Sequence, residues 1–195
     1  MDPHTDRLIL DIGNSRTKLG LFSAGRLVRQ AFVRNGDLSG VRDLLGTNSV
    51  ERVVVGSVAR EDAQLMVGLG AIAPVLVVTG GSPSHLRNLY TTPETLGADR
   101  WANAVGASLL FPGRTVLAIS LGTCAIYDLV DGNGVYRGGI ISPGFHMRAM
   151  AMGEFTARLP VVEPAEDPPG TGLSTTDCLA AGIHHGLRTE LRATI

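Results

Sequence analysis

Apolar and polar residues alternate through three short runs in the first 34 positions, RLILDIGN, TKLGLFS and RLVRQAFV, separated by a Gly13-Asn14 turn and a Ser-Ala-Gly connector. A period of two bounded by glycine turns predicts three antiparallel strands, a β-meander. Beyond it, VERVVVGSVA is continuously apolar, as suits a strand covered on both faces; EDAQLMVGLG fits a short helix, and PVLVVTGG reads as another buried strand. From Gly97 to Phe111 the apolar residues fall at helical intervals, with Asp99 near the start and Pro112-Gly113 as a stop. The pattern therefore passes from a meander into α/β.

The meander then recurs. TVLAISLGTCAIYDLVDGNGVYRGGIIS supplies a strand, a glycine turn, a second strand, an Asp-Gly-Asn-Gly connector and a third strand. A gapless shift of 109 places Gly13 on Gly122, Ser15 on Cys124 and Gly25 on Gly134, while Asp11 falls on Ser120. The repeat predicts two similar domains, residues 1–113 and 114–195, each opening on a meander and facing the other across a cleft with the glycine turns as opposite walls. FHMRAMAMGEFTARL is helix-like, the proline-rich PVVEPAEDPPGTG is a loop, and LSTTDCLAAGIHHGLRTEL reads as a helix capped by Ser174 or Thr175. Nothing after the second meander matches the strands that follow the first, so the second domain is expected to be shortened at its C-terminus.

Composition narrows the partners. The 195 residues are 44% hydrophobic and 18% charged with a formal net charge of −1, an ordinary globular balance without the basic excess that nucleic acid demands. Small molecules are the expected partners. The opening MDPHTDR does not read as a signal peptide, and no apolar run approaches the roughly 20 residues of a membrane span, so a cytoplasmic protein with no membrane partner is expected. Cys124 and Cys178 form no C-x-x-C pair, and His4, His85, His146, His184 and His185 lack ligand spacing, which predicts no protein-built metal cluster.

Three stretches carry candidate chemistry. In DIGNSRTK the glycine turn leads into a second strand rather than a helix, which makes a P-loop or a dinucleotide fingerprint a poor fit. What fits is a hairpin cradle for phosphate: Asp11 would hold Mg²⁺ through water, Gly13, Asn14 and Ser15 would donate, and Lys18 would neutralise charge. The same residues also suit a plain turn with Asp11 as a solvated strand end. In NLYTTPETLGADRW the helix dipole explains Asp99 but not Arg100, since a cation is slightly unfavourable in a first turn. An anionic substrate would explain Arg100, and Asp99 could take the proton of an attacking hydroxyl. In SLGTCAIYD, Gly122 and Thr123 could donate to phosphate, whereas Asp128 reads as a solvent-facing strand residue or hairpin partner.

Taken together, DIGNSRTK, NLYTTPETLGADRWANAVGA, SLGTCAIYDLVDGNGVYRGGIISPG, FTARLP and GLSTTDCLAAGI resemble the type III pantothenate kinases, members of the superfamily of actin, sugar kinases and heat-shock chaperones. The resemblance implies two actin-like, ribonuclease H-like domains and transfer of the ATP γ-phosphate to a pantothenate hydroxyl, the first step of coenzyme A synthesis. It also implies Mg²⁺ and a monovalent cation, K⁺ or NH₄⁺. Asp11, Ile12, Gly13, Asn14, Ser15, Arg16, Thr17 and Lys18 would form the ATP phosphate loop, with Gly122 and Thr123 as further ATP contacts. Asp99 would be the catalytic base, and Tyr90, Gly97, Ala98, Asp99 and Arg100 would bind pantothenate. The family's homodimer completes the substrate pocket at its interface, which implies that Thr175, with Thr156 and Ile141, acts across it.

This sequence departs from the family pattern in that Ser120 stands where an Asp helps bind the monovalent cation, and Ile126 where a Thr is expected. Family chains also continue for roughly fifty residues more, on the size of a complete domain. These departures motivate an alternative, a non-catalytic or weakly active nucleotide-binding regulatory relative. A kinase for another small hydroxy acid or sugar would share the scaffold.

Overall fold

The computed structural model describes residues 6–58, 62–165 and 167–195. His4 in the opening stretch, residues 59–61 between VERVVVGS and the helix that follows, and Glu166 of the proline-rich loop lie outside the described residues.

Alternating side chains build the first sheet. β1 (Arg7–Ile12), β2 (Thr17–Ser23) and β3 (Arg26–Val33) form the antiparallel meander; α1 (Leu38–Leu45), β4 (Arg52–Ser57), α2 (Ala63–Gly70) and β5 (Val75–Val78) follow. The strand order is β3-β2-β1-β4-β5, with β4 parallel to β1 and β5 parallel to β4. Leu8, Leu10 and Ile12 of β1 share one face with Leu19, Leu21, Val53 and Val55, and Val41, Leu44 and Leu45 of α1 and Leu65 and Leu69 of α2 cover it. Burying one stripe of each helix on one sheet face is what makes this layer stable.

Two elements differ from the sequence expectation or add to it. β5, the last strand of the sheet, pairs only with β4 among the described residues and is half exposed, with Leu76 at 44% and Val77 at 46%. Leu76 and Val77 point to opposite faces, so neither face of β5 is fully covered, and an unbroken apolar run marks a strand buried on both faces only where layers pack on both. α1 has its own local cause: the Asp37 carboxylate accepts from Gly40 N at 3.1 Å, and Gly46, at φ +58°, ends the helix by donating to Arg42 O at 2.9 Å.

Cα packing divides the chain into two units. The first takes residues up to His85 and Tyr90–Val105, and the second takes Leu86–Leu89 and Gly106–Ile195. The division falls inside α3 (Ala98–Leu110), where a sequence reading puts it at the Pro112-Gly113 helix stop. Helix ends are visible in a sequence, whereas the halves of a helix that pack on different bodies are not.

The second unit contains β6 (Arg87–Asn88), β7 (Val116–Leu121), β8 (Cys124–Val130), β9 (Val135–Pro143), α4 (Phe145–Glu154) and α5 (Thr175–Thr194), with sheet order β6-β9-β8-β7. β7 sits 109 positions after β1, and β9 starts 109 positions after β3. The middle strands break the gapless register, because the turns have exchanged length. Gly13–Arg16 span four residues against Gly122-Thr123, and Ala24-Gly25 stand against four residues at Asp131–Gly134. Ser15 is thus a turn residue while Cys124 opens β8, so their expected pairing is not structural.

Of the two roles expected for Asp128, the structure shows the hairpin partner and not the solvent-facing residue. Asp128 is buried and accepts from Tyr136 Oη at 2.7 Å. α5 is capped by Ser174 rather than Thr175, with Ser174 Oγ accepting from Asp177 N at 3.1 Å. No helix among the described residues is long and apolar enough to cross a membrane.

Glu190 ties α5 to the second sheet. Its carboxylate accepts from Tyr127 Oη at 2.8 Å, from Ser142 Oγ and from the Arg148 guanidinium, which also donates through Nε to Pro143 O at 2.7 Å. The hydrogen bond from Ser142, aided by Arg148 and Tyr127, holds the Glu190 pKa below its ordinary 4.5, while burial pushes Tyr127 up. A carboxylate with a lowered folded pKa stabilises fully above its unfolded pKa and loses that contribution as pH falls through the folded one. Glu190→Gln is expected to cost about 1–2 kcal/mol at neutral pH and to flatten the acid limb below pH 4.5, as thermal unfolding against pH would show. An unchanged acid limb would contradict this role.

Candidate active site

The glycine turn is closed by the backbone and clamped from outside. Gly13 N donates to Arg16 O at 3.1 Å, and a Cβ on Gly13 would lie 3.2 Å from that oxygen. Thr17, only 2% exposed, donates through Oγ1 to Asn35 Oδ1 at 2.8 Å, and Asn35 Nδ2 donates to Gly13 O at 2.8 Å. Between these ends Asn14, Ser15 and Arg16 are exposed, with the Arg16 guanidinium 4.4 Å from the Phe32 ring centroid. Lys18 Nζ reaches Asp11 Oδ2 at 2.9 Å, with the two side chains 58% and 42% exposed. Such a pair is worth no more than about 1 kcal/mol in water, so an arriving phosphate can displace it at little cost.

The second element is the start of α3. Asp99 is half-buried and its Oδ1 accepts from Arg100 N at 2.8 Å, folding the carboxylate over the first turn. That fold requires Gly97, since a Cβ there would sit 2.5 Å from Asp99 Oδ1. Arg100 is 5% exposed; its Nη1 donates to Tyr90 Oη at 3.4 Å, and the guanidinium lies 5.5 Å from the Tyr90 ring centroid. Trp101 Nε1 donates to Ser82 O at 2.8 Å and anchors the helix.

Gly80 holds the approach to α3. A Cβ on Gly80 would meet Leu96 O at 2.3 Å and Pro93 O at 2.8 Å, both backbone atoms that cannot swing aside. Gly80→Ala is expected to cost about 1–3 kcal/mol by overpacking and to raise the KM for whatever Asp99 and Arg100 bind. Thermal unfolding with steady-state kinetics checks it, and an unchanged Tm would contradict the close approach.

Sheet register relates the two elements. Asp11 is paired with Lys18 on one side and with Gly56 on the other, so all three point to the same face. A Cβ on Gly56 would lie 3.6 Å from the Ala98 Cβ, so the start of α3 packs on that face beside Asp11's neighbour. At the carboxyl ends of the parallel strands β1, β4 and β5 lies a cavity of about 680 Å³ that includes Ile12, Ser57, Asp62, Leu96, Gly97 and Ala98 in its lining. Open α/β sheets bind ligands at these strand ends. Asp11 and Asp99 do not line the cavity themselves; each adjoins a residue that does. Sequence reasoning missed Asn35, Ser57 and Asp62. Only the Asn35-Gly36 dipeptide, a turn signal, marks one of them in advance.

A family model described as type III pantothenate kinase matches residues 7–195. The chain belongs to that family. It is 37% identical over 189 residues to a type III pantothenate kinase of Bacteroides fragilis, and 38% identical over 189 residues to one of Phocaeicola vulgatus, covering 96% of this chain and 78% of each relative. Among solved structures, a Campylobacter jejuni protein assigned to the Baf family of transcriptional activators superposes with a TM-score of 0.61 at 16% identity, over 96% of this chain and 79% of that one. That likeness concerns the fold alone.

The remaining residues singled out by resemblance to the type III pantothenate kinases lie in the second unit. Gly122 and Thr123 form the exposed β7–β8 turn, where Gly122 N donates to Cys124 O at 2.9 Å and Gly144 N to Thr123 O at 3.0 Å. Gly144 must be glycine there, because a Cβ would lie 2.2 Å from Gly122 O. Ser120 is in β7 opposite Ile126 of β8, the two positions where the sequence leaves the family pattern. Thr175 is the first residue of α5, Thr156 follows α4, and Ile141 is in β9; all three are exposed.

Proposed function

We infer that the chain transfers the γ-phosphate of ATP to the hydroxyl of pantothenate, giving 4′-phosphopantothenate and ADP in coenzyme A synthesis. The observation that carries this is the placing of Asp11 and the start of α3 on one face of one sheet, so that a phosphate turn and a carboxylate base serve the same strand ends. Family membership supports the same reading, and no observation favours a non-catalytic relative.

The chemistry follows from the groups. The turn Gly13–Arg16 holds the ATP phosphates with its backbone and the exposed Asn14 and Ser15 side chains, while Lys18 leaves Asp11 to neutralise phosphate. Arg100, fixed by burial and Tyr90, meets the pantothenate carboxylate. Asp99 accepts the hydroxyl proton as the oxygen bonds to the γ-phosphorus and the bond from that phosphorus to the bridging oxygen of ADP breaks. Gly122 and Thr123 are proposed as further ATP contacts.

Among the described residues no group of three or more His, Cys, Asp or Glu could hold a metal ion. One carboxylate suffices for Mg²⁺ when phosphates supply other ligands, and Asp11, with only Oδ2 engaged by Lys18, fits that need. Mg²⁺ bound there would neutralise phosphate charge. Ser120 offers a neutral hydroxyl where a carboxylate would attract K⁺ or NH₄⁺, so this position does not fit a strong monovalent site.

We also propose a cytoplasmic homodimer, with Thr156, Thr175 and Ile141 facing a second copy. The exposure of Ile141 itself, of Phe155 next to Thr156 in the chain and of Leu173 two residues before Thr175 supports an apolar contact surface. A coupled assay of ADP release tests the reaction. Release that requires pantothenate is expected; none from folded protein, or release indifferent to pantothenate, would overturn the reading.

A further inference from the structure

We propose that Asn35 is a positioning residue for the phosphate turn, setting the distance between its two ends. The proposal rests on the reading of Gly13–Arg16 as the ATP phosphate site. Asn35 lies outside the DIGNSRTK stretch, in the connection from β3 to α1. That connection is itself held: Gly36 takes φ +81°, Asp37 N donates to Arg34 O at 3.2 Å, Leu38 N donates to Gly36 O at 3.0 Å, and Asp37 caps α1.

The amide orientation follows from its partners. Gly13 O can only accept, so Nδ2 must face it, and Oδ1 then receives the Thr17 hydroxyl proton. One side chain thereby bridges the last residue before the exposed segment Asn14–Arg16 and the first residue after it. The backbone supplies Gly13 N to Arg16 O across the same gap and, just below it, the β1–β2 ladder that registers Ile12 with Thr17; the Asn35 amide adds a side-chain link from these ends to the β3–α1 connection. Without the clamp, the turn's donors would spread over several orientations, and nucleotide binding would have to order them. The loss should fall mainly on ATP: Asn35 shares the lining of the strand-end cavity with Gly97 and Ala98, but its hydrogen bonds go to Thr17 and Gly13 of the turn.

The test compares Asn35→Ala, Thr17→Val and Lys18→Ala. ATP affinity is read by calorimetry, alongside both KM values, kcat and Tm. Asn35→Ala is expected to weaken ATP about five- to tenfold, the scale of one or two hydrogen bonds, with the pantothenate KM unchanged within about twofold. Thr17→Val, which keeps shape and loses the hydroxyl, should reproduce part of that loss, and combining the two should add little. A normal ATP affinity in Asn35→Ala while Lys18→Ala weakens it overturns the role of Asn35 alone. Equal rises in both KM values with a fallen Tm also overturn it, in favour of a merely structural role. Normal ATP affinity in all three variants would instead remove the underlying phosphate-site reading.

Discussion

Replacing Asp99 by Asn is expected to lower kcat by about 10²–10⁴-fold, the usual worth of a positioned general base, while ATP and pantothenate still bind. The amide is nearly isosteric and its oxygen can still accept from Arg100 N, so the fold-back over the helix start that Gly97 permits should survive. What is lost is the ability to take a proton. Both KM values should therefore stay within a few-fold of the wild type, and the Tm should barely move. A variant that retained most of its kcat would show that the proton leaves by another route. One that lost ATP binding would show that Asp99 belongs to the nucleotide site instead.

Arg100→Lys should act on the other substrate. Arg100 is buried at the start of α3 against Tyr90, where lysine keeps the charge but loses the planar fork that matches a carboxylate. The expected result is a rise of roughly 10–100-fold in the KM for pantothenate, corresponding to the loss of a charge-assisted bidentate contact, with the KM for ATP nearly unchanged. An analogue with a neutral hydroxymethyl group in place of the carboxylate sharpens the test. The wild type should discriminate strongly against it and the variant weakly. Equal discrimination by both would mean that Arg100 does not meet the carboxylate.

How much of this was legible in the sequence depends on what each feature is made of. β1, β2, β3 and α3 announce themselves because period-two and helical spacings are local properties of the chain, and glycines mark their ends. The exchange of turn lengths between the two meanders was hidden, because a gapless shift realigns after both turns and masks the slip in β8. The choice between a solvent-facing Asp128 and a hairpin partner was hidden because its burial depends on Tyr136 of the next strand. β5 looked buried because an apolar run carries no record of which layers cover its two faces. α1 was legible in principle from Asp37 followed by Leu38, Val41, Leu44 and Leu45, a cap before helical spacing.

For the candidate site, the chain itself displayed the residue types but not their relations. A cation in the first turn of α3 stood out as unfavourable on dipole grounds, and the structure buries it beside Tyr90. Nothing local linked Asp11 to Ala98, since that relation passes through the pairing of β1 with β4 and the packing of α3 on Gly56. Asn35 escaped notice for the same reason: its partners are 22 and 18 residues away.

The most direct measurement is single-turnover transfer of label from γ-labelled ATP, quenched on the millisecond scale, with wild type and Asp99→Asn run side by side. Labelled 4′-phosphopantothenate is expected from the wild type, and from the variant the same product formed at least about a hundredfold more slowly with nucleotide fully bound. Label appearing as inorganic phosphate, or equal transfer rates from the two proteins, would contradict that expectation.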